Sequence, residues 1–291
     1  MITFLKPTFR DPRLTMVGSL TFFVTLSQLY LGFTQNRIQI AIAIICCVGL
    51  DFLFTFIECK IIALPLSGIV SGLGLCLLLD SGTRVLPFFL AAILCIGSKY
   101  VIRYGGRHFY NPSAFALTII IWLNLGTLTP GYQWGGGTTA LWIVMSLGIM
   151  LLTRVRRLYL LGSFLLLYLV SAMIRIALGF EPASLAFGLM TGAPFQLFTF
   201  FMLTDPRTTP KSPRLQISFA AAVIAVDFIL RVLRIHNTLV ISLVVVDTVV
   251  LLMAITGLSY NVNEWPSSQR KTVSPSSLTN PATTAIKGAT L

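Results

Sequence analysis

Ten apolar runs, each close to the length of a membrane span, constrain this chain more than any single motif. They cover residues 14–34, 38–57, 61–79, 85–102, 113–128, 138–153, 159–178, 184–203, 215–232 and 239–260. A helix needs about 20 apolar residues to cross the hydrocarbon core, so ten spans take up about 200 residues. The chain has 291 residues, 56% of them hydrophobic and only 10% charged, with a mean hydropathy of +0.87. Little remains for a soluble domain. Period-two alternation is absent, which argues against an outer-membrane barrel. The expected fold class is therefore an all-α polytopic membrane protein.

The basic residues orient it. With the N-terminus placed in the cytoplasm, only Arg37, Arg84, Arg175, Arg231 and Arg234 of the 21 Lys and Arg residues fall outside. The other sixteen fall inside, the asymmetry that sets membrane topology. Both termini are expected in the cytoplasm. The net charge of +12 is then an orientation signal, and no nucleic-acid partner follows from it. Residues 1–13 read as a cytoplasmic N-terminus whose Lys6, Arg10 and Arg13 precede an uncleaved first span. Residues 129–137 read as a short external connection, and 261–291, rich in Ser, Thr, Pro and Asn, as a disordered cytoplasmic tail.

The five cysteines, Cys46, Cys47, Cys59, Cys76 and Cys95, lie in or at the ends of spans with no C-x-x-C pair. They read as buried free thiols, with no metal or cluster ligation. The two histidines, His108 and His236, fall on opposite sides of the membrane, so they cannot ligate one haem. No Gly-rich nucleotide loop, Ser-His-Asp order or metal-ligand cluster stands out, and a self-contained hydrolase is not expected.

Two sets of motifs recur at an offset of roughly 125 residues. Ser67-Gly68 precedes Asp80 in the third run, and Thr191-Gly192 precedes Asp205 in the eighth. Arg107-His108-Phe109-Tyr110-Asn111 opens the fifth run, and Arg234-Ile235-His236-Asn237 opens the tenth. Five spans per half is an odd number, so the repeats, 14–128 and 138–260, would be inverted in the membrane. That layout forms binding sites at the repeat interface near the midplane.

Two segments carry a family resemblance. Residues 105–115 (GGRHFYNPSAF) and 200–210 (FFMLTDPRTTP) resemble the NqrB/RnfD family, membrane subunits of ion-translocating, flavin-containing electron transport complexes. The likeness spans about residues 14–260. It is closest to the short RnfD-like branch of the cyanobacterial and enediyne-cluster type. Membership implies a five-plus-five inverted repeat similar to urea transporters, FMN or riboflavin as cofactor, and other membrane or redox subunits as partners. The implied location is a bacterial inner membrane or a thylakoid. Larger members attach FMN to the Thr of a Ser-Gly-Ala-Thr motif in a long external loop. Here that loop is only about TLTPGYQWGGG (127–137), and the sole Gly-Ala-Thr, ending at Thr290, lies on the cytoplasmic side. Covalent FMN is therefore not expected, and any flavin would be held noncovalently.

Individual residues admit plain and functional readings. Asn111 can cap the fifth helix, with Pro112 at its first position and Ser113 following. The helix start, with Arg107 and His108, could also receive an anionic or polar group such as a flavin phosphate, a flavin ring carbonyl or a lipid headgroup. Thr191, Gly192 and Asp205 join this candidate cofactor site through the repeat. Asp205-Pro206 is a turn by chemistry, and alternatively a cytoplasmic gate with Asp205 paired to an Arg of the other repeat. Asp51, Asp227 and Asp247 sit inside spans, where a lone carboxylate costs about 2.5–3.5 kcal/mol. Asp227 and Arg231 are spaced for an internal ion pair. Asp247 has no partner in its own span and is the better candidate for a buried polar contact or an ion path. Tyr132, Trp134 and Trp142 read as interface anchors or as a lid over an external cavity.

Two functions are in view. One is an electron-carrying subunit, not a complete enzyme, that couples electron flow to cation movement. The other is a channel or transporter for a small solute with no redox group.

Overall fold

The computed structural model describes residues 3–5, 12–31, 33, 35–130, 142, 145–146, 148–150 and 157–257. Most of the sixth run, nearly all of 129–137 with Tyr132 and Trp134, most of the N-terminal segment and the tail with Thr290 lie outside them, while Trp142 is described and exposed. The described chain is mostly helical. In order it forms β1 (Thr3–Leu5), α1 (Pro12–Leu29), α2 (Arg37–Cys59), β2 (Ile61–Ala63), α3 (Leu66–Leu78), β3 (Leu79–Asp80) and α4 (Leu86–Val101). A hairpin of β4 (Arg103–Tyr104) and β5 (Arg107–His108) leads into α5 (Pro112–Trp122) and β6 (Thr127–Leu128). Beyond the sixth run come α6 (Leu158–Ala177), α7 (Ala183–Thr191), α8 (Ala193–Leu197, continued by a π-turn at Phe198–Met202), α9 (Pro213–Val232) and α10 (Thr238–Thr256).

Four described helices are long and apolar enough to cross a bilayer: Arg37–Glu58 of α2, α6, α9 and α10. The pair Ala183–Thr191 and Ala193–Met202, bent by 56°, makes a fifth if it is one span. The protein is thus a helical membrane protein. Helices α3, α4 and α5 are apolar but shorter.

Several runs break where backbone chemistry demands it. The third run begins as a strand, β2, paired in parallel with β1. Helix starts only after Pro65, which has no N–H to offer a preceding turn. The fifth run stops as helix at Trp122, where Asn124 turns left-handed at φ 53. It then pairs as β6 with β3, Asp80 facing Thr127. Gly126 is required at that pairing, since a Cβ there would come within 2.9 Å of the Asp80 carbonyl oxygen. The eighth run breaks at Gly192, followed by Pro194 in the first turn of α8.

Helix starts follow the capping rules. Asn36 and Gln39 form a reciprocal capping box at α2, and the Gln39 amide goes on to bind the Gly82 and Arg84 carbonyls at 2.8 and 2.9 Å. Small residues let α3 lie against α2: a Cβ at Gly68 would meet the Cys47 carbonyl oxygen at 2.7 Å, and one at Gly72 the Ile44 Cα at 2.9 Å. Close approach through small residues is how helices pack when lipid removes the hydrophobic drive. An aromatic seam fills the junction of α1, α6 and α8, with Phe23 edge-on to Phe201 at 6.3 Å and Tyr168 edge-on to Phe195 at 4.8 Å. Cys47, Cys76 and Cys95 are buried and Cys46 partly so, all as free thiols.

Candidate functional site

The start of α5 is where the polar groups meet. Asn111 adopts the extended cap conformation, and its Oδ1 accepts from the Ala114 N–H at 3.1 Å, with Pro112 following in the first turn. The same side chain also reaches across the molecule. Its Nδ2 lies 3.3 Å from the Met202 carbonyl and 3.4 Å from the Asp205 carboxylate. The Asn111 backbone N–H points at the Asp247 carboxylate, 3.4 Å away. One asparagine thus stands between two carboxylates, one from the turn after α8 and one from the middle of α10. Tyr110 adds a hydroxyl contact to Thr248 at 2.9 Å.

The 205–209 turn is held from several directions. Asp205 accepts from the Arg207 N–H at 2.9 Å, and its carbonyl accepts from the Thr209 hydroxyl at 2.6 Å. Arg157, at the start of α6, donates to the Thr209 hydroxyl (3.0 Å) and to the Pro206 and Thr209 carbonyls (both 3.2 Å). Arg107 donates to the Thr208 carbonyl at 3.5 Å and stacks over the Phe109 ring. Burial pushes the Asp205 carboxyl up to about 6, against the opposing pull of Arg13, Arg157, Arg107 and Lys99. His108, on the hairpin, is pushed down to about 3 by burial and by Lys99, Arg103 and Arg107. It is neutral at physiological pH and gives no positive charge to an anion.

Other carboxylates are satisfied structurally. Asp51 is ion-paired with Lys99, accepts from the Tyr100 hydroxyl at 2.8 Å and takes the Gly68 N–H at 3.0 Å. Lys99 also donates to Ser67 at 2.8 Å. Asp51 therefore caps α3 from a neighbouring helix, a role its own proline cap leaves open. Asp227 pairs with Arg231 at 2.8 Å, the pair their spacing predicts, and accepts from the Thr238 hydroxyl at 2.5 Å. Neither joins the Asn111 cluster through a described hydrogen bond. Thr191 does not either: it is exposed and its hydroxyl returns to the Gly188 carbonyl of α7. Gly192 serves the helix break. Ser113 faces α4, its hydroxyl 3.9 Å from the Cys95 sulfur.

A second polar junction lies at the start of α10. Asn237 donates to the Thr127 hydroxyl at 3.2 Å, and Thr127 is the β6 residue facing Asp80. Asp80 accepts from the Gly82 N–H at 2.9 Å, the same two-residue turn that Asp205 makes.

The donors at the α5 start that a flavin phosphate would need are directed at two carboxylates, and Arg107 is turned onto Thr208 and Phe109. A phosphate would meet negative charge there, so this helix start does not fit one. Arg157 and the Lys99–Asp51 pair were not singled out from sequence. Lys99 and Asp51 are 48 residues apart, and only two buried opposite charges in apolar runs could have signalled them. No protein-family model matches the chain, and none of the curated proteins matches it.

Proposed function

We propose that the protein is an integral membrane subunit that moves a cation across the bilayer in company with electron transport, Asp205 and Asp247 handling the ion on either side of Asn111. The observation that carries this reading is the meeting of the two family-like segments: Asn111 of the first lies 3.3 Å from Met202 and 3.4 Å from Asp205 of the second. Asp247 lies within α10, and carboxylates kept at membrane depth mark ion and proton pathways.

The same reading takes the chain as a five-plus-five inverted repeat of ten spans. Its support is crosswise contact. The last helix of each half starts against the aspartate turn of the other: α5 against Asp205, α10 against the strand pair that holds Asp80. Both aspartates make one turn type with the residue two further on. Helix starts meeting irregular backbone between inverted halves are the setting of ion sites in such folds.

A noncovalent flavin belongs to this reading at a seat other than the α5 start, and partner subunits would supply and receive the electrons. No step of ion movement is assigned to it. The second reading, a solute path without redox chemistry, is favoured by the carboxylates at the place a phosphate would need. The visible spectrum of the purified protein separates the two. A flavin band between about 350 and 500 nm that passes into the supernatant on acid precipitation, the release expected of a noncovalent cofactor, supports the electron-transport reading. A colourless protein leaves the solute path.

A further inference from the structure

We infer that the row of hydrogen bonds running Thr55–Tyr100–Asp51–Lys99–Ser67 through α2, α4 and α3 is a second ion site, one that takes in and gives up protons. This rests on the reading of an ion-moving membrane subunit, and it adds the identity of the ion and a station for it away from Asn111.

Three helices build the row. Asp51 and Thr55 stand one turn apart on α2, Lys99 and Tyr100 lie near the end of α4, and Ser67 is in the first turn of α3. The Thr55 and Tyr100 hydroxyls are 2.8 Å apart, and the Tyr100 hydroxyl donates to Asp51 Oδ1 at 2.8 Å. Lys99 donates to the same oxygen and, at 2.8 Å, to the Ser67 hydroxyl. Since the one Tyr100 hydrogen goes to Asp51, Thr55 is the donor of its contact. Asp51 and Lys99 are 3% and 6% exposed, whereas Thr55 and Ser67, at the two ends, are half-buried.

A structural tie accounts for only part of this. The cap on α3 uses Asp51 Oδ2 alone, which takes the Gly68 N–H; Oδ1 collects Lys99 and Tyr100 and is not needed for the cap. A buried ion pair is commonly worth no more than well-packed apolar side chains of its volume, and ionisable groups held inside a membrane mark proton relays. An ammonium beside the carboxylate repels a metal cation, so the ion exchanged here is a proton.

The polarity of the row gives its direction. The hydrogens of Thr55 and Tyr100 point toward Asp51, and Lys99 points one of its own away, at Ser67. A proton enters as the Tyr100 O–H breaks, an O–H forms on Asp51, and Tyr100 takes the Thr55 hydrogen, which water replaces. One leaves as a Lys99 N–H breaks, its proton passes to the Ser67 oxygen, and Ser67 releases its hydroxyl hydrogen to water. Transfer from Asp51 to Lys99 then restores the ion pair. The pair ends with the protons it began with, and no electron moves. Arg13 of α1 adds to the positive field at Lys99. Lys99 in turn pulls on the Asp205 carboxyl, so the charge of this row is felt at the Asn111 junction.

The experiment is proton uptake by liposomes carrying the purified full chain in sodium-free medium, driven by a potassium diffusion potential, with the melting temperature of each variant measured alongside. Tyr100→Phe removes the hydroxyl and keeps the ring against Phe54 and Arg103; it should slow uptake several-fold with little change in melting temperature. Asp51→Asn combined with Lys99→Met, which leaves no buried charge, should fold and take up protons at a small fraction of the wild-type rate. Glu58→Gln, outside the row, should match wild type. A purely structural tie would lose stability and keep its rate. Wild-type uptake by Tyr100→Phe or by the double variant, or uptake of supplied sodium in place of protons by the wild type, overturns the inference and leaves the ion-moving reading standing. A wild type that moves neither ion defeats both.

Discussion

Asn111 and Asp205, 94 residues apart, face each other through an amide–carboxylate contact of 3.4 Å that ties the start of α5 to the turn after α8. Because the same asparagine caps its own helix and turns its backbone N–H toward Asp247, its replacement has several consequences at once. Asn111→Ala removes a helix cap, about 1 kcal/mol, and leaves buried acceptors unpaired at about 1–3 kcal/mol. Asn111→Ser keeps an acceptor for the Ala114 N–H and should recover the cap but not the reach to Asp205. Thermal unfolding in detergent is expected to rank wild type above Asn111→Ser, and Asn111→Ser above Asn111→Ala.

The Asp51–Lys99 pair gives a different pattern. Both side chains are buried, and removing one partner strands the other charge, at about 3–5 kcal/mol. Asp51→Asn or Lys99→Met alone should be strongly destabilising. The double variant Asp51→Asn with Lys99→Met leaves no buried charge and should regain most of the loss. A double-mutant cycle on unfolding free energy measures the coupling, and additive losses would show that the pair does not act as one.

Glycine spacing on α2 and α3 offers a sharper steric test. Gly68→Ala and Gly72→Ala drive a methyl into backbone of α2 at 2.7 and 2.9 Å, overpacking of about 1–3 kcal/mol. Gly49→Ala meets nothing within 4 Å and should stabilise α2 by up to about 1 kcal/mol through helix propensity. Melting temperatures of the three variants check the order.

Stability against pH should carry two opposing contributions. Asp205, raised from 3.8 to about 6 by burial, binds its proton more tightly when folded. Its contribution is present at low pH and lost as pH rises from about 4 to 6. His108, lowered from 6.5 to about 3, resists protonation when folded, so its contribution is present above about pH 6.5 and lost as pH falls toward 3. In the shared window between pH 4 and 6 the two slopes oppose. Asp205→Asn should therefore steepen the rise of stability with pH, and His108→Gln should flatten or reverse it, in denaturant titrations across that range.

Local chemistry in the sequence foretells part of this structure. Asn111-Pro112 reads as a cap and first helical residue because both effects act within one turn, and Asp227 with Arg231 reads as a pair because four residues bring them to one helical face. The helical membrane class follows from the apolar runs in the same way. Contacts made across the fold are not legible in that manner. Asn111 offers the same sequence whether its amide binds a phosphate or Asp205, and the answer came from the turn after α8 lying against it. Asp51 looked like a lone intramembrane acid until Lys99 and the bare start of α3 were seen beside it. The break at Gly192 was within reach, since Gly-Ala-Pro interrupts an otherwise continuous run, whereas the strand at Ile61–Ala63 depends on pairing with Thr3–Leu5.

The ion path at Asn111 is tested most directly by ion uptake into liposomes carrying the purified protein, driven by a potassium diffusion potential and read with proton- and sodium-sensitive dyes. Wild type and Glu58→Gln, which loosens the partly exposed pair with Arg103 away from the Asn111 cluster, should take up the ion alike, and Asp247→Asn should take up none. Uptake by Asp247→Asn at the wild-type rate would contradict the account.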